Sequence, residues 1–296
     1  MIRSRLARLF SCLLFATIVA QAGCGDDDFP PNLYSIFFAD DVFVAVGQDF
    51  SISNSADGDT FFLQAEDGDG AMRSVTFGDG VWVACGDDGF IATSDDTSFW
   101  DIQFVPTDRS LRGAAFGKST YVLVGSAGVI VSSPNTGAWD FETSFTEEDL
   151  EDVDFGDGLF VAVGWAGTIV TSPDGSAWTP RESGTHEDLL GVGFGDGRFV
   201  AVGNNGVILV SDNGVDWTDA STPTLEILQD VGFGDGVYVI VGDNGTILAS
   251  TDPEDFALED STTGRDLSGV TFGNGKFVAV GHDGEIRNSF DGFDWF

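Results

Sequence analysis

Three ionisable residues recur at one position of an internal repeat and could together form a polar site. Arg73, Arg112 and Glu151 follow one another at intervals of 39 residues, each directly after an apolar residue that opens a repeat. Guanidinium groups hold carboxylates through charge-assisted and often bidentate hydrogen bonds. If the repeats close into a ring, these side chains approach its central channel. Ordinary packing and rim salt bridges between repeats are the simpler explanation.

Other residue types that could carry chemistry are sparse. The two histidines, His186 and His282, lie 96 residues apart, in a linker and in a turn, which argues against a histidine-rich metal site. The run from Glu66 to Gly70 offers several oxygens to calcium but lacks the spacing of an EF-hand loop. Cys85 takes a position that other repeats give to Val, which predicts a small buried hydrophobe. We expect no cofactor, and calcium is the one cation to consider.

The repeat organises the whole chain from residue 33 onward. Each unit contains four short runs of β-branched and aromatic residues, separated by Gly, Asp and Asn. Strong columns of Phe, Gly, Ile and Ser run through all seven units in one phase. The most regular column is the Phe at positions 38, 77, 116, 155, 194, 233 and 272.

Four strands in each 39-residue unit, repeated seven times, predict an all-β, seven-bladed β-propeller over residues 33–296. We name the antiparallel strands of each blade A to D, from the axis outward. Packing on both faces of a blade explains why strand B is an almost continuous apolar run. An open solenoid is disfavoured because the end units keep the apolar columns and show no polar capping. We expect a ring closed by packing alone, with a short outer strand in the last blade.

The end of strand C carries a recurring Ser-x-Asp-Gly-x-x-Trp pattern. It resembles a shortened Asp-box of the BNR-repeat propellers, which include sialidases, sortilin-like receptors and Ycf48-like photosystem assembly factors. The resemblance implies a structural hairpin whose Asp, or an Asn in its place, accepts backbone hydrogen bonds while the Trp packs between blades. The residues to which the resemblance assigns this structural role are Ser94, Asp96 and Trp100; Ser172, Asp174 and Trp178; Ser211, Asn213 and Trp217; and Ser289, Asp291 and Trp295.

The N-terminus has the pattern of a secretory signal. Arg3, Arg5 and Arg8 precede an apolar stretch that is too short for an ordinary membrane span. The small residues before Cys24 resemble the bacterial lipoprotein cleavage box, although Gln21 replaces its usual Leu. The resemblance implies a signal peptide over 1–23, a lipidated Cys24 and an acidic tether over 24–32. We therefore expect export across the inner membrane to the outer membrane or cell surface as a lipoprotein, or otherwise a periplasmic or extracellular protein.

The charge limits the possible partners. A formal net charge of −37 repels nucleic acid phosphates and anionic lipid headgroups. We expect no nucleic acid partner, contact with a membrane only through a lipid anchor, and a monomer that binds a protein or a carbohydrate. The densest acidic run, 147–152, is typical of a solvated loop.

Variation between the repeats indicates where a ligand would bind. The A–B and C–D turns are nearly constant and form what we call the constant face. The B–C turns and D–A linkers vary and form the variable face, where binding residues are expected. Trp165 is the foremost candidate, because other units have polar or small residues there. Candidate residues of this face are Trp165, Arg73, Arg112, Glu151 and His282.

These patterns favour a non-catalytic binding or scaffolding propeller over an enzyme. Sialidases clamp a carboxylate with three arginines and use a Tyr nucleophile with a Glu partner, and their Phe/Tyr-Arg-Ile-Pro motif is absent here. The alternatives are a glycan-processing hydrolase of sialidase-like type and an assembly factor for a membrane complex. Convergence of Arg, Tyr and paired acids on the variable face would favour the hydrolase.

Overall fold

The computed structural model describes residues 31–66, 70–220 and 222–296. Apart from residues 31 and 32, the expected signal peptide and tether, with Cys24, lie outside this part. The described chain forms seven antiparallel sheets arranged as a β-propeller, which confirms the predicted fold class. Among the described residues, no helix is long and apolar enough to cross a membrane.

The first three blades contain twelve strands. Blade 1 consists of β1 (Leu33–Ala39), β2 (Val42–Gly47), β3 (Ile52–Ser55) and β4 (Phe62–Ala65). Blade 2 consists of β5 (Met72–Gly78), β6 (Val81–Gly86), β7 (Phe90–Ser94) and β8 (Asp101–Phe104). Blade 3 consists of β9 (Leu111–Gly117), β10 (Thr120–Gly125), β11 (Val129–Ser133) and β12 (Asp140–Glu142).

The other four blades repeat this order. Blade 4 consists of β13 (Leu150–Gly156), β14 (Leu159–Gly164), β15 (Thr168–Ser172) and β16 (Thr179–Arg181). Blade 5 consists of β17 (Leu189–Gly195), β18 (Arg198–Gly203), β19 (Ile208–Ser211) and β20 (Thr218–Asp219). Blade 6 consists of β21 (Leu228–Gly234), β22 (Val237–Gly242), β23 (Ile247–Ser250) and β24 (Ala257–Glu259). Blade 7 consists of β25 (Leu267–Gly273), β26 (Lys276–Gly281) and β27 (Ile286–Ser289).

Every sheet is a meander in which consecutive strands pair antiparallel. Six sheets have four strands and the seventh has three. Where strand D stands in other blades, Phe296 alone exchanges two backbone hydrogen bonds with Asn288, at 3.0 and 3.1 Å. The helical segments within the described residues are short 3-10 turns between strands B and C of blades 2–7, such as Trp165–Gly167.

The core lies between neighbouring blades, because each sheet packs apolar side chains on both faces. The aromatic residue of every strand B is at most 2% exposed, as in Trp82, Tyr121 and Phe160. The Phe of each strand A covers a glycine of the preceding blade in six of the seven blades. A Cβ atom added to Gly156 would lie 2.0 Å from the Phe194 ring, so only glycine fits there.

The ring closes between blades 7 and 1 through packing and hydrogen bonds. Leu33 and Phe43 of blade 1 pack against Val278 of blade 7. The Lys276 Nζ atom also donates to the carboxylate of Asp59 at 2.8 Å. The expectation of closure by packing alone is therefore incomplete, since polar contacts also cross this junction.

Candidate functional site

Strand A of each blade lines the central channel, and its second residue lies near the variable face. This position brings Arg73, Arg112 and Glu151 into one cavity of about 290 Å³, together with Tyr34 and His282. We call this cavity the mouth. Four of the five candidate residues therefore line a common cavity.

Tight B–C turns hold the rim of the mouth. In the turn Trp165–Gly167, Ala166 and Gly167 both adopt positive φ angles, of 54° and 70°. The Trp165 amide donates to the backbone oxygen of Asp149, in the linker before strand A of the same blade, at 2.9 Å. Linker and turn thereby fix each other, and the first residue of the equivalent turn in blade 7, His282, lines the mouth.

Arg73 is held by one acid and one aromatic ring. Its Nε atom lies 3.0 Å from an oxygen of Asp87, and its guanidinium carbon lies 5.2 Å from the centroid of the Tyr34 ring. The Tyr34 ring also meets His282 in a T-shaped arrangement with a centroid distance of 6.5 Å. The His282 imidazole lies 3.3 Å from the carboxylate of Asp266.

Arg112 is more enclosed and contacts two acids. Its guanidinium pairs with Glu151 of the next blade and with Asp149, the latter at 3.1 Å. Burial alone would lower the pKa of Arg112, but the hydrogen bond and charge of Glu151, together with the charges of Asp149 and Asp87, outweigh burial and raise it. The guanidinium also lies 6.0 Å from the Trp165 ring. The Trp165 side chain is 43% exposed and does not line the mouth, but it lies next to Arg112, which does.

Three further acids lie on the inner strands that line the channel, and the sequence analysis did not predict them as site residues. Asp152 and Asp230 line both the mouth and a deeper cavity of about 280 Å³, and Asp154 lines the deeper one. We call these three residues the channel carboxylates. The expectation that 147–152 is a solvated loop is wrong for Glu151 and Asp152, which belong to β13. An available signal was that Asp152 and Asp230 replace the Gly or Ser that the other strands A have at the same position.

The channel carboxylates join neighbouring inner strands. An oxygen of Asp152 accepts a hydrogen bond from the Val192 amide at 3.0 Å, and Asp154 accepts one from Phe194 at 2.8 Å. Asp230 likewise accepts a hydrogen bond from the Val270 amide at 2.8 Å. These amides belong to the next strand A along the ring, so the carboxylates satisfy donors on an inner sheet edge.

The protein around the channel opposes ionisation of these carboxylates, although they are partly open to channel water. Burial raises the pKa of Asp154 to about 7 and that of Asp230 to about 6. Burial, followed by the charge of Asp230, also raises the pKa of Asp152. Backbone hydrogen bonds act in the opposite direction but do not cancel these effects.

The Ser, Asp or Asn, and Trp of the C–D hairpins lie at the constant face. The Asp174 carboxylate accepts hydrogen bonds from the amides of Ser176 and Ala177 at 2.9 Å, which lowers the pKa of Asp174 to about 2. The Trp178 indole donates to Gly175 at 3.0 Å. Asn213 accepts the equivalent bonds in blade 5. These contacts hold a turn and face away from the mouth.

Within the part of the chain that the structure describes, no group of three or more His, Cys, Asp and Glu side chains is arranged to hold a metal ion. The calcium candidate, Glu66 to Gly70, lies partly outside that part, because residues 67–69 are not described. Cys85 is fully buried, and burial raises the pKa of its thiol far above the ordinary value. Its thiol is therefore not activated as a nucleophile.

Comparisons with known proteins agree on the fold. No protein-family model matches the sequence, and no curated protein matches it. The solved structure of YCF48 from Cyanidioschyzon merolae superposes with a TM-score of 0.69 at 17% identity, covering 87% of this chain and 95% of that one. A structure described as YCF48 bound to D1 peptide superposes with a TM-score of 0.60 at 15% identity, covering 76% of this chain and 79% of that one.

A computationally designed protein, Ika8, also superposes, with a TM-score of 0.63 at 14% identity, covering 87% of this chain and 96% of that one. At such identities the likeness concerns the fold alone. The chain is thus a seven-bladed β-propeller that shares its architecture with natural and designed proteins. The side chains that line the mouth are therefore the basis for a functional proposal.

Proposed function

We propose that this chain is a non-catalytic, monomeric binding propeller that receives an extended protein segment at the mouth and aids assembly of a larger complex. The observation that carries the proposal is the concentration of non-repeated side chains at one end of the channel. Tyr34, Arg73, Arg112 and His282 meet there, although most of the chain repeats closely. A propeller of the same fold, YCF48, has been solved with a D1 peptide, which supports a peptide as the ligand.

The chemistry of the mouth suits a peptide. The exposed Trp165 ring beside Arg112 supplies contact area at low entropic cost, and the guanidinium groups in the mouth supply directional hydrogen bonds to backbone carbonyls. Arg73 and Arg112 are held in place by acids before any ligand arrives. Pre-organised side chains lose little conformational entropy on binding.

The proposal includes an extracytoplasmic location with a lipid anchor at Cys24. Strand A of blade 1 begins at Leu33, on the variable face, where the Asn32 side chain accepts a hydrogen bond from the Asp283 amide at 2.9 Å. A tether from residue 24 to residue 32 would reach at most about 30 Å. An anchor of this length would keep the mouth near the membrane and any partner there.

The test is capture of the partner by variants of the two faces. We expect Arg73→Ala combined with Trp165→Ala to weaken binding of a cross-linked envelope partner at least about tenfold, or about 1.4 kcal/mol. Arg198→Ala is the matched control, because Arg198 also pairs with acids but lies at the constant face. Tiled peptides of the captured protein, measured by calorimetry, would then locate the bound segment. Equal losses in both variants, or no loss in either, would contradict the proposal.

A sialidase-like hydrolase is the second candidate, because Tyr34, two arginines and the acids Glu151 and Asp152 do meet in the mouth. Against it, both guanidinium groups are already paired with carboxylates of the protein, and no third arginine lines the mouth among the described residues. Turnover of a fluorogenic sialoside by the wild type, with loss of turnover in Tyr34→Phe, would replace the binding proposal.

A further inference from the structure

The channel carboxylates are not required by the fold. At the position of Asp152 and Asp230, the other five blades carry Ser35, Ser74, Gly113, Gly191 and Gly269. Those blades form the same inner strand with the same register shift at its start. Two partly buried acids in one channel cost stability, and the amides that they bind in the next strand A offset only part of that cost.

These carboxylates keep free hydrogen-bonding capacity toward the channel. An ionised carboxylate offers about four acceptor sites on its two oxygens. Asp230 uses one site on each oxygen, for the amides of Val231 at 2.7 Å and Val270 at 2.8 Å. Asp154 is held in the same way by Phe155 and Phe194. The remaining sites of each carboxylate can accept a donor from the channel.

A second, independent feature of the same cavity is a serine hydroxyl without a hydrogen-bond partner. Ser74 is only 7% exposed, lines both the mouth and the deeper cavity, and has no hydrogen bond to its hydroxyl among the described residues. Because Ser74 lines both cavities, its hydroxyl is open to the channel and free to accept a hydrogen bond from a ligand. The channel thus presents an unused hydroxyl beside under-used carboxylates, and both could receive donors from one ligand.

The positive charges of the mouth do not neutralise the channel carboxylates. Arg73 pairs with Asp87, and Arg112 pairs with Asp149 and Glu151. Asp152, Asp154 and Asp230 form no salt bridge within the described residues, so the channel favours a cationic ligand.

The residues that line the channel suit a cation with an apolar stem. Asp154 lies two residues beyond Asp152 on β13, which is roughly 7 Å along the strand. Leu190 lines the mouth, and Phe194, Phe233 and Phe272 line the deeper cavity. An ammonium group on a four-carbon stem can place its apolar stem in the mouth and its three donors among the carboxylates.

We propose that the channel receives a lysine side chain of the partner segment, with Asp152, Asp230 and Ser74 accepting hydrogen bonds from its ammonium group. This inference rests on the proposed function, because the lysine enters through the mouth. It assigns the chemistry of the ligand, a primary alkylammonium, and it predicts that the bound segment contains a basic residue.

The test uses defined probes and the full-length protein. The probe is the acetylated and amidated peptide Gly-Gly-Lys-Gly-Gly, and the same peptide with norleucine in place of lysine has the stem but no charge. Free 1,5-diaminopentane reports whether a small diamine is the better ligand. Affinities are measured by calorimetry and NMR shifts at constant ionic strength, because a protein of charge −37 attracts any cation weakly.

We expect Asp152→Asn combined with Asp230→Asn to weaken binding of the lysine peptide about tenfold. The matched control combines Asp196→Asn with Asp235→Asn, which removes the same charge from exposed turns of the constant face and should leave the affinity unchanged. Ser74→Ala should weaken binding a few-fold without changing the charge. Thermal unfolding establishes that each variant is folded.

Several outcomes would overturn this inference. They are equal losses in the channel and control variants, equal binding of the norleucine peptide, tighter binding of the free diamine, and no saturable binding at about 10 mM peptide. If the captured partner depends on Trp165 but not on Asp152 and Asp230, the mouth binds the partner and the lysine assignment is wrong. If substitution of Trp165 also leaves binding of the partner unchanged, the proposed function itself fails.

Discussion

Acidification from pH 8 to pH 5 should stabilise this protein, and Asp154 should account for part of the effect. The pKa of Asp154 is raised to about 7 in the folded protein, against 3.8 for an ordinary Asp. Because the folded state binds the proton more tightly, this stabilisation is fully present below about pH 4. It is lost as pH rises through 7. Asp230, with a pKa of about 6, acts in the same direction.

The size of the effect follows from linkage. Between the unfolded and folded pKa values, one such group changes the free energy of unfolding by about 1.4 kcal/mol per pH unit. The shift of Asp154 thus sets an upper limit of about 4 kcal/mol. Water in the channel screens the charge, so we expect about 1–2 kcal/mol between pH 5 and pH 8. That corresponds to a change in Tm of roughly 2–8 °C for a domain of this size.

The assay is thermal unfolding from pH 5 to pH 8 at constant ionic strength, for the wild type and Asp154→Asn. The variant cannot ionise, so its Tm should depend less on pH. Asp196→Asn is the control, because it removes one exposed charge and should keep the wild-type slope. The carboxyl of Asp174, whose pKa is lowered to about 2, loses its contribution only in stronger acid. Equal slopes for Asp154→Asn and the wild type would refute this reasoning.

Two predictions concern the fold. Gly156→Ala should cost about 1–3 kcal/mol of stability, because its Cβ would lie 2.0 Å from the Phe194 ring, whereas Gly264→Ala has open space and should cost less. Chemical denaturation of both variants measures the difference, and equal costs would contradict the contact. Asp174→Ala should cost about 1–2 kcal/mol by freeing two turn amides, while Asp174→Asn should cost less, because Asn213 accepts the same bonds in blade 5. Equal melting of these two variants would show that the acceptor is unimportant.

The site was only partly predictable from the sequence. Position in the repeat brought Arg73, Arg112 and Glu151 to one end of one channel, because equivalent residues of a closed ring lie at equal depth. The same rule does not say which acid each arginine meets. Arg112 contacts both Glu151 in strand A of the next blade and Asp149 in the linker before that strand, and this depends on side-chain length and on the turn that holds Trp165.

Local features repeated along the chain determined the architecture. Glycine turns and apolar strands B each depend on a few neighbouring residues, and the constant unit length repeats them seven times. The sequence alone therefore specified a seven-bladed ring. The tertiary structure alone decided that Asp152 and Asp230, 78 residues apart, share one channel with Ser74. Charge repulsion, burial and unmet hydrogen bonds depend on distance in space. The interior chemistry of the ring therefore arises only when the blades close around it.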